Sequence, residues 1–251
     1  MSEILTAAEN KIFNITLNRP EKRNALNDAL VNDLKTALRE ANEKNELRAI
    51  VIRGAGKDFC SGADLSALQK ISESDVLENH DDARNLMELF ALIRRIKIPV
   101  IAAVHGRALA GGCGLATACD IVLATKTARF GYPEVKIGFV PAMVMAILRR
   151  NLSEKKSFEL ITQGFEFSAD EAEKLNLINR VFADETFEAD VKSYVSVYET
   201  VSRSAVILSK KLLYQMDGMT FDNALEAGVD VNTIARMTED CQTGIARFLN
   251  R

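Results

Sequence analysis

The chain has 251 residues, 47% of them hydrophobic and 27% charged, with a net charge of −3 from 32 Lys+Arg against 35 Asp+Glu. A chain this long buries roughly three quarters of its unfolded surface, which excludes a disordered, fibrous or disulfide-stapled protein. It also lacks the bulk positive charge of a typical nucleic-acid binder, so only a local basic patch could serve that role. The two histidines, His80 and His105, argue against a histidine-rich metal site, and the four cysteines form no CxxC pair. They read as reduced thiols in a cytoplasmic-type compartment.

Met1 to Asn10 carries Glu3 and Glu9 and no basic stretch before an apolar run, so it does not read as a secretory leader. The longest uncharged stretch, Ile98 to Cys119, is interrupted by His105 and Arg107 and rich in glycine, which excludes a membrane span there. Gly54-Ala55-Gly56-Lys57 lacks the upstream glycine of a phosphate loop, and Asp58 stands where that motif needs Ser or Thr. Gly111-Gly112-Cys113-Gly114 is not a dinucleotide fingerprint, and no GxSxG or HExxH is present.

In chain order, alternation over Ile12 to Asn18 predicts a half-buried strand, and Arg19 to Arg23 a turn. Asn27 can cap a helix reaching about Glu43. Arg48 to Arg53 reads as a short buried strand, followed by a loop and by helical spacing from about Asp81 to Ile96. Ile98 to Val104 reads as a strand buried on both faces, and a glycine turn then leads into a helix to Ala118. Strands at Asp120–Ala124 and Ala128–Tyr132 follow. Beyond Ala142 the pattern is helical, with Ser168 as a cap and one last strand at Ile178–Phe182. The tail from about Phe187 to Leu249 is nearly all helix. Strands alternating with helices define an α/β chain; the shift in composition near residue 185 divides it into residues 1–185 and a helical segment 186–251. No repeat at a fixed period is evident.

Two strand-to-helix junctions are rich in small residues: Asp58 to Leu65, and Gly106 to Gly114. Such a turn leaves free backbone N–H groups at a helix N-terminus. Two of them, each behind a buried strand, could aim two donors at one carbonyl oxygen and form an oxyanion hole. The plainer alternative is that the glycines only allow tight turns and close packing.

Several motifs in the same order resemble the crotonase (enoyl-CoA hydratase/isomerase) superfamily over essentially the whole chain. They are Leu17-Asn18-Arg19-Pro20-Glu21-Lys22-Arg23-Asn24-Ala25-Leu26, Phe59-Cys60-Ser61-Gly62-Ala63-Asp64-Leu65, Ala108 to Ala116, Cys119-Asp120-Ile121 and Ala128 to Glu134. The resemblance implies a spiral of ββα units with a helical C-terminal region that builds homotrimers or hexamers (dimers of trimers). It implies acyl-CoA thioester substrates, an enolate intermediate, no metal or organic cofactor, and no nucleic-acid or membrane partner. By motif match, the backbone N–H groups of Ala63 and Gly111 are the oxyanion donors and Glu134 is the acid/base. Hydratases of the family use a second glutamate, and here its position is Gly114.

Hydration of a 2-enoyl-CoA is the leading expectation. Isomerisation between 3- and 2-enoyl-CoA, which the resemblance associates with one glutamate, is the close alternative. Decarboxylation, dehydration of a branched glutaconyl-type thioester, or a non-catalytic acyl-CoA- or protein-binding role also fits one carboxylate. Glu78, His80, Asp81, Asp82 and Glu88 are candidates to orient a water, against the plainer reading of a solvated helix end. Tyr132, Cys60 and Asp64 are possible pocket residues. Arg23, Lys22 and Lys57 are the cations that family position suggests for coenzyme A, with Arg247 and Phe248 as further candidates. His105 reads as structural. Ala142 to Ala146 replaces a glycine run with a Met-rich stretch, which reads either as core or as a flexible pocket wall.

Overall fold

The computed structural model describes residues 2–250. Met1 and Arg251, the outer bounds of the two expected segments, lie outside the described residues. The chain opens with a hairpin of β1 (Ile4–Glu9) and β2 (Ile12–Leu17), which turns through Asn10 and Lys11, both at positive φ (47° and 67°). Positive φ at both central residues gives the turn whose twist matches the strands it joins. The chain then runs through α1 (Asp28–Glu43), β3 (Ala49–Gly54), α2 (Leu65–Glu73), α3 (Val76–Arg95), β4 (Val100–Val104), β5 (Arg107–Leu109) and α4 (Gly111–Ala118). Next come β6 (Ile121–Thr125), β7 (Arg129–Gly131), α5 (Ala142–Asn151), α6 (Glu154–Gln163), β8 (Glu166–Ser168), α7 (Ala169–Lys174) and β9 (Arg180–Phe182). Four helices finish it: α8 (Phe187–Thr200), α9 (Arg203–Gln215), α10 (Phe221–Arg236) and α11 (Glu239–Leu249).

The predicted caps form: the Asn27 side chain accepts from the Leu30 N–H at 2.8 Å, and Ser168 makes a reciprocal capping box with Glu171. The predicted loop before Asp81 is corrected in two places. Residues 65–73 are helical, and α3 begins at Val76 rather than near Asp81, started by a capping box of Asp75 and Glu78. β1 escaped prediction because five of its six residues are exposed, so it shows no burial alternation.

The larger sheet has the order β1-β2-β3-β4-β6-β9 and is parallel apart from the first hairpin. Beside it lies a smaller layer in which β5 pairs parallel with β7, and β7 antiparallel with β8. Two parallel bridges extend that layer, Leu26 with Ala63 and Cys60 with Ala108. The chain therefore repeats one step: a strand in the large sheet, a short extended piece in the small layer, then one or more helices. β2, Leu26 and α1 make one turn; β3, Cys60–Ala63 and α2–α3 the next; β4, β5 and α4 the third; β6, β7 and α5–α6 the fourth. This is the expected ββα spiral.

The inner face of the large sheet shares one apolar core with α1, α3, α4 and α5, built on residues such as Ile15, Leu34, Ile52 and Val104. On its other face, Phe187, Val191 and Val195 of α8 pack against Val51, Ile101 and Leu123. A buried polar cluster ties α9 to the sheet. Lys210 Nζ donates to the Ile93 and Ile98 carbonyls and, at 2.6 Å, to Asp120, whose carboxylate also accepts the Val100 N–H and the Tyr214 hydroxyl. In contrast, α10 and α11 bury no residue in this single chain, and Phe221, Leu225, Val229, Met237 and Phe248 stand exposed. No helix among the described residues is long and apolar enough to cross a membrane.

Candidate active site

The spiral stacks the two glycine-rich junctions on each other. Gly62 adopts φ +97°, and a methyl group there would lie 2.8 Å from Ala110 Cβ and 3.7 Å from Gly111 N. A methyl group on Gly112 would lie 2.2 Å from the Cys60 carbonyl oxygen. Both positions therefore need glycine, one for its backbone and both for the approach of the two chain segments. Between them Ala110 sits at φ 50° and ψ −127°, a region that L side chains avoid, and its N–H is tied to the Gly131 carbonyl at 2.9 Å. The strained residue aims the start of α4. Gly111 N–H is the first donor of that helix, and neither it nor the Ala63 N–H is given to any hydrogen bond among the described residues. Both residues line one cavity of about 610 Å³.

Glu134 lines the same cavity, from the 3-10 turn Pro133–Ile137 that follows β7. Gly138 closes that turn at φ 77°. Burial pushes the Glu134 carboxyl above the ordinary carboxylate range, partly offset by its own backbone N–H. Its Oε2 is buried and has no hydrogen-bond partner among the described residues. A proton acceptor held in an apolar wall, beside two free backbone donors, is equipped to move a proton next to a carbonyl whose oxygen is stabilised.

The neighbouring polar groups are engaged elsewhere. Asp64 caps α2 through the Ser66 N–H and pairs with Arg19 at 2.7 Å. Burial alone would raise its pKa, but the Ser66 and Arg19 hydrogen bonds prevail and hold it below the ordinary range. Cys60 is fully buried, and burial pushes its thiol up to about 12. Tyr132 is fully buried too, next to Cys113 and Thr117, and burial raises its hydroxyl well above the ordinary tyrosine value. The three expected pocket residues Tyr132, Cys60 and Asp64 thus back the site without lining its cavity, because the small layer places their side chains in the core or in a cap. Lys22, Arg23 and Lys57 lie on adjoining turns. The Asn24 side chain donates to the Ala55 and Asp58 carbonyls, and the Ser61 N–H donates to the Arg23 carbonyl. Of the water-orienting candidates, only Asp82 reaches the cavity, where burial first and Asp28 second raise its pKa. Glu78 caps α3, Glu88 pairs with Lys35, and His80 and Asp81 are exposed. His105 is structural, its Nε2 2.9 Å from the Gly56 carbonyl.

Position 114 is filled from outside. A Cβ on Gly114 would lie 2.8 Å from Val144 Cγ2 and 3.0 Å from Phe90 Cζ, and both those side chains line the cavity. In the sequence Phe90 simply continues a helical apolar stripe, and Val144 lies in the Ala142–Ala146 stretch that reads either as core or as pocket wall.

A ββα spiral that sets two unpaired backbone N–H groups and one buried carboxylate around an apolar cavity defines the crotonase class. The family profile described as enoyl-CoA hydratase/isomerase matches residues 7–251, and the chain belongs to that family. It is similar to a Thermus thermophilus protein bearing the enoyl-CoA hydratase name, 36% identical over 94% of each chain. It is similar as well to the 2,3-dehydroadipyl-CoA hydratase of Escherichia coli, 32% identical over 100% of this chain and 97% of that one. The crystal structure of an enoyl-CoA hydratase from Mycobacterium smegmatis superposes with a TM-score of 0.95 at 31% identity, covering 99% and 96% of the two chains.

Proposed function

We propose that this chain acts on an acyl-CoA thioester, adding water reversibly to a 2-enoyl-CoA with Glu134 as its acid/base. The observation that carries this reading is the unpartnered Glu134 Oε2 in the wall of the cavity that Ala63 and Gly111 also line. The Ala63 and Gly111 N–H groups hold the thioester oxygen and stabilise it as charge develops there. Water oxygen bonds to C3 and gives its proton to Glu134; the enolate then takes that proton from Glu134 at C2. Glu134 ends as it began, and one water has been added. No metal or organic cofactor takes part. Lys22, Arg23 and Lys57, on turns adjoining the Ala63 donor, supply the cations for the coenzyme's phosphates.

One observation favours a second reading. The apolar filling of position 114 leaves no carboxylate there to orient water. Glu134 alone can remove a proton from C2 of a 3-enoyl-CoA and return it to C4 of the dienolate, giving the conjugated 2-enoyl-CoA. Purified protein mixed with 2-enoyl-CoA and, separately, with 3-enoyl-CoA decides between them. Loss of the conjugated-thioester absorbance marks hydration, and its gain marks isomerisation. No change with either substrate, with Glu134→Gln altering nothing, sinks both. The exposed apolar side chains of α10 and α11 support a homotrimer, or a hexamer of two trimers, as the working form in the cytoplasm. Light scattering of the purified chain tests the oligomer.

A further inference from the structure

Gly114 lies inside α4, in right-handed backbone, and needs no special φ. Glycine weakens a helix interior, so its presence there requires a spatial reason. The reason is the approach of Val144 from α5 and Phe90 from α3, at 2.8 Å and 3.0 Å from where a Cβ would stand. Both side chains are nearly fully buried, and both line the cavity that holds Glu134, Ala63 and Gly111. Val144 is β-branched and cannot swing freely on its helix. Phe90 stands on α3 beside Leu89 and near Ile93, neither of which is exposed at all. The two side chains are therefore seated on bare backbone, and what they leave free is what an occupant of the cavity can use.

We propose that Phe90 and Val144 are specificity-determining residues that set the width of acyl group this cavity accepts, with Gly114 as the seat that lets them withdraw from it. The proposal rests on the reading of the cavity as an acyl-CoA site. It makes position 114 a steric control on substrate width. A methyl group added at 114 pushes Val144 and Phe90 into the cavity and narrows it. Removing bulk at 144 widens it, and both changes together compensate, because the added methyl fills the space that Val144 vacates.

The test is equilibrium binding of saturated acyl-CoAs, which cannot be turned over: butanoyl-CoA against its wider analogue 3-methylbutanoyl-CoA, by calorimetry. For Val144→Ala, preference for the branched ligand should rise about tenfold, the scale of one methyl group in an apolar pocket. For Gly114→Ala it should fall by a similar factor. The double variant should return near the wild-type ratio, because the methyl added at 114 takes up the width that Val144→Ala opens. Phe90→Leu gives the same widening from α3 and serves if Val144→Ala fails to fold, as judged by its melting curve. An unchanged ratio in folded variants, or a double variant whose ratio stays at that of either single variant, overturns the proposal while leaving the acyl-CoA reading intact. If the wild-type chain binds neither ligand, the acyl-CoA reading itself falls, and the proposal with it.

Discussion

Gly112→Ala tests the architecture of the oxyanion hole without touching a side chain that meets substrate. The new Cβ would stand 2.2 Å from the Cys60 carbonyl oxygen and 2.8 Å from Cys60 Cβ, whereas ordinary contacts begin at 3.4 Å. The Cys60 carbonyl cannot retreat, because it accepts the Leu109 N–H at 3.0 Å within the small layer. So the start of α4 has to move off by roughly 1 Å, and a misplacement of that size costs about 100-fold in rate. It carries the Gly111 N–H with it. Loss of one oxyanion donor lowers kcat by about 10²–10³, or roughly 2.7–4 kcal/mol of transition-state stabilisation. Overpacking should cost the fold only about 1–3 kcal/mol. At about 2–4 °C per kcal/mol for a chain of this size, the melting temperature should fall by roughly 2–12 °C. Steady-state kinetics on the preferred enoyl-CoA, measured well below both melting temperatures, should therefore show a fall in kcat much larger than any rise in KM. A soluble Gly112→Ala protein with wild-type kcat would refute the assignment of Gly111 as a donor.

Glu134→Gln should lower turnover by roughly 10²–10⁴-fold, the usual worth of a positioned acid/base. It should also change how stability depends on pH. Burial raises this carboxyl's pKa in the folded chain, so the wild type is at full stability below the unfolded value of about 4.3 and loses stability as pH rises through the folded value. The variant carries no such loss, and its melting temperature should gain on the wild type from acid to neutral pH; parallel profiles would show that Glu134 is not desolvated. Ala110→Gly removes the strain of φ 50°, ψ −127° and should stabilise the fold by about 1 kcal/mol in denaturant titration, where any destabilisation would contradict that backbone. Lys210→Met strips Asp120 of its buried cation and should cost about 3 kcal/mol, with a loss under about 1 kcal/mol in the same titration counting against the cluster as the lock of α9.

The backbone part of the site was legible in the sequence, and its walls were not. Gly62 and Gly112 announce themselves because a tight approach between chain segments admits no other residue type there. Glu134 was legible through its motif. Phe90 was hidden, and Val144 left open between core and pocket wall, because lining a cavity and filling a core require the same apolar residue at the same helical spacing. Tyr132 parts from Glu134 because the chain leaves β7 for the 3-10 turn Pro133–Ile137 directly after it, so Tyr132 stays buried in the core while Glu134 lines the cavity. Among elements, β1 was missed because its exposure erases alternation. The spiral was expected from the resemblance and not from any repeat in the sequence, because its turns share only a path: α1 has 16 residues and α4 has 8, so no fixed period links them.

The two readings of the reaction differ in one physical requirement, a place for water. Proton transfer between C2 and C4 needs a single base and gains from a dry wall, because a desolvated carboxylate holds a proton more readily near neutrality. Addition of water needs the same base and a volume beside C3 in which a water can be held by polar partners. Gly114 offers no side chain for that purpose, and Val144 and Phe90 occupy the space where one would stand. Asp82 is the carboxylate that α3 brings to the cavity wall, and its pKa is raised by burial first and by Asp28 second. Hydration therefore makes Asp82 relevant to turnover and isomerisation does not. Replacing Asp82 by Asn discriminates the two chemistries on the same protein: a fall in hydration rate with an unchanged isomerisation rate is expected if Asp82 orients the water. Equal rates for both reactions in the variant would leave Glu134 as the one carboxylate at work.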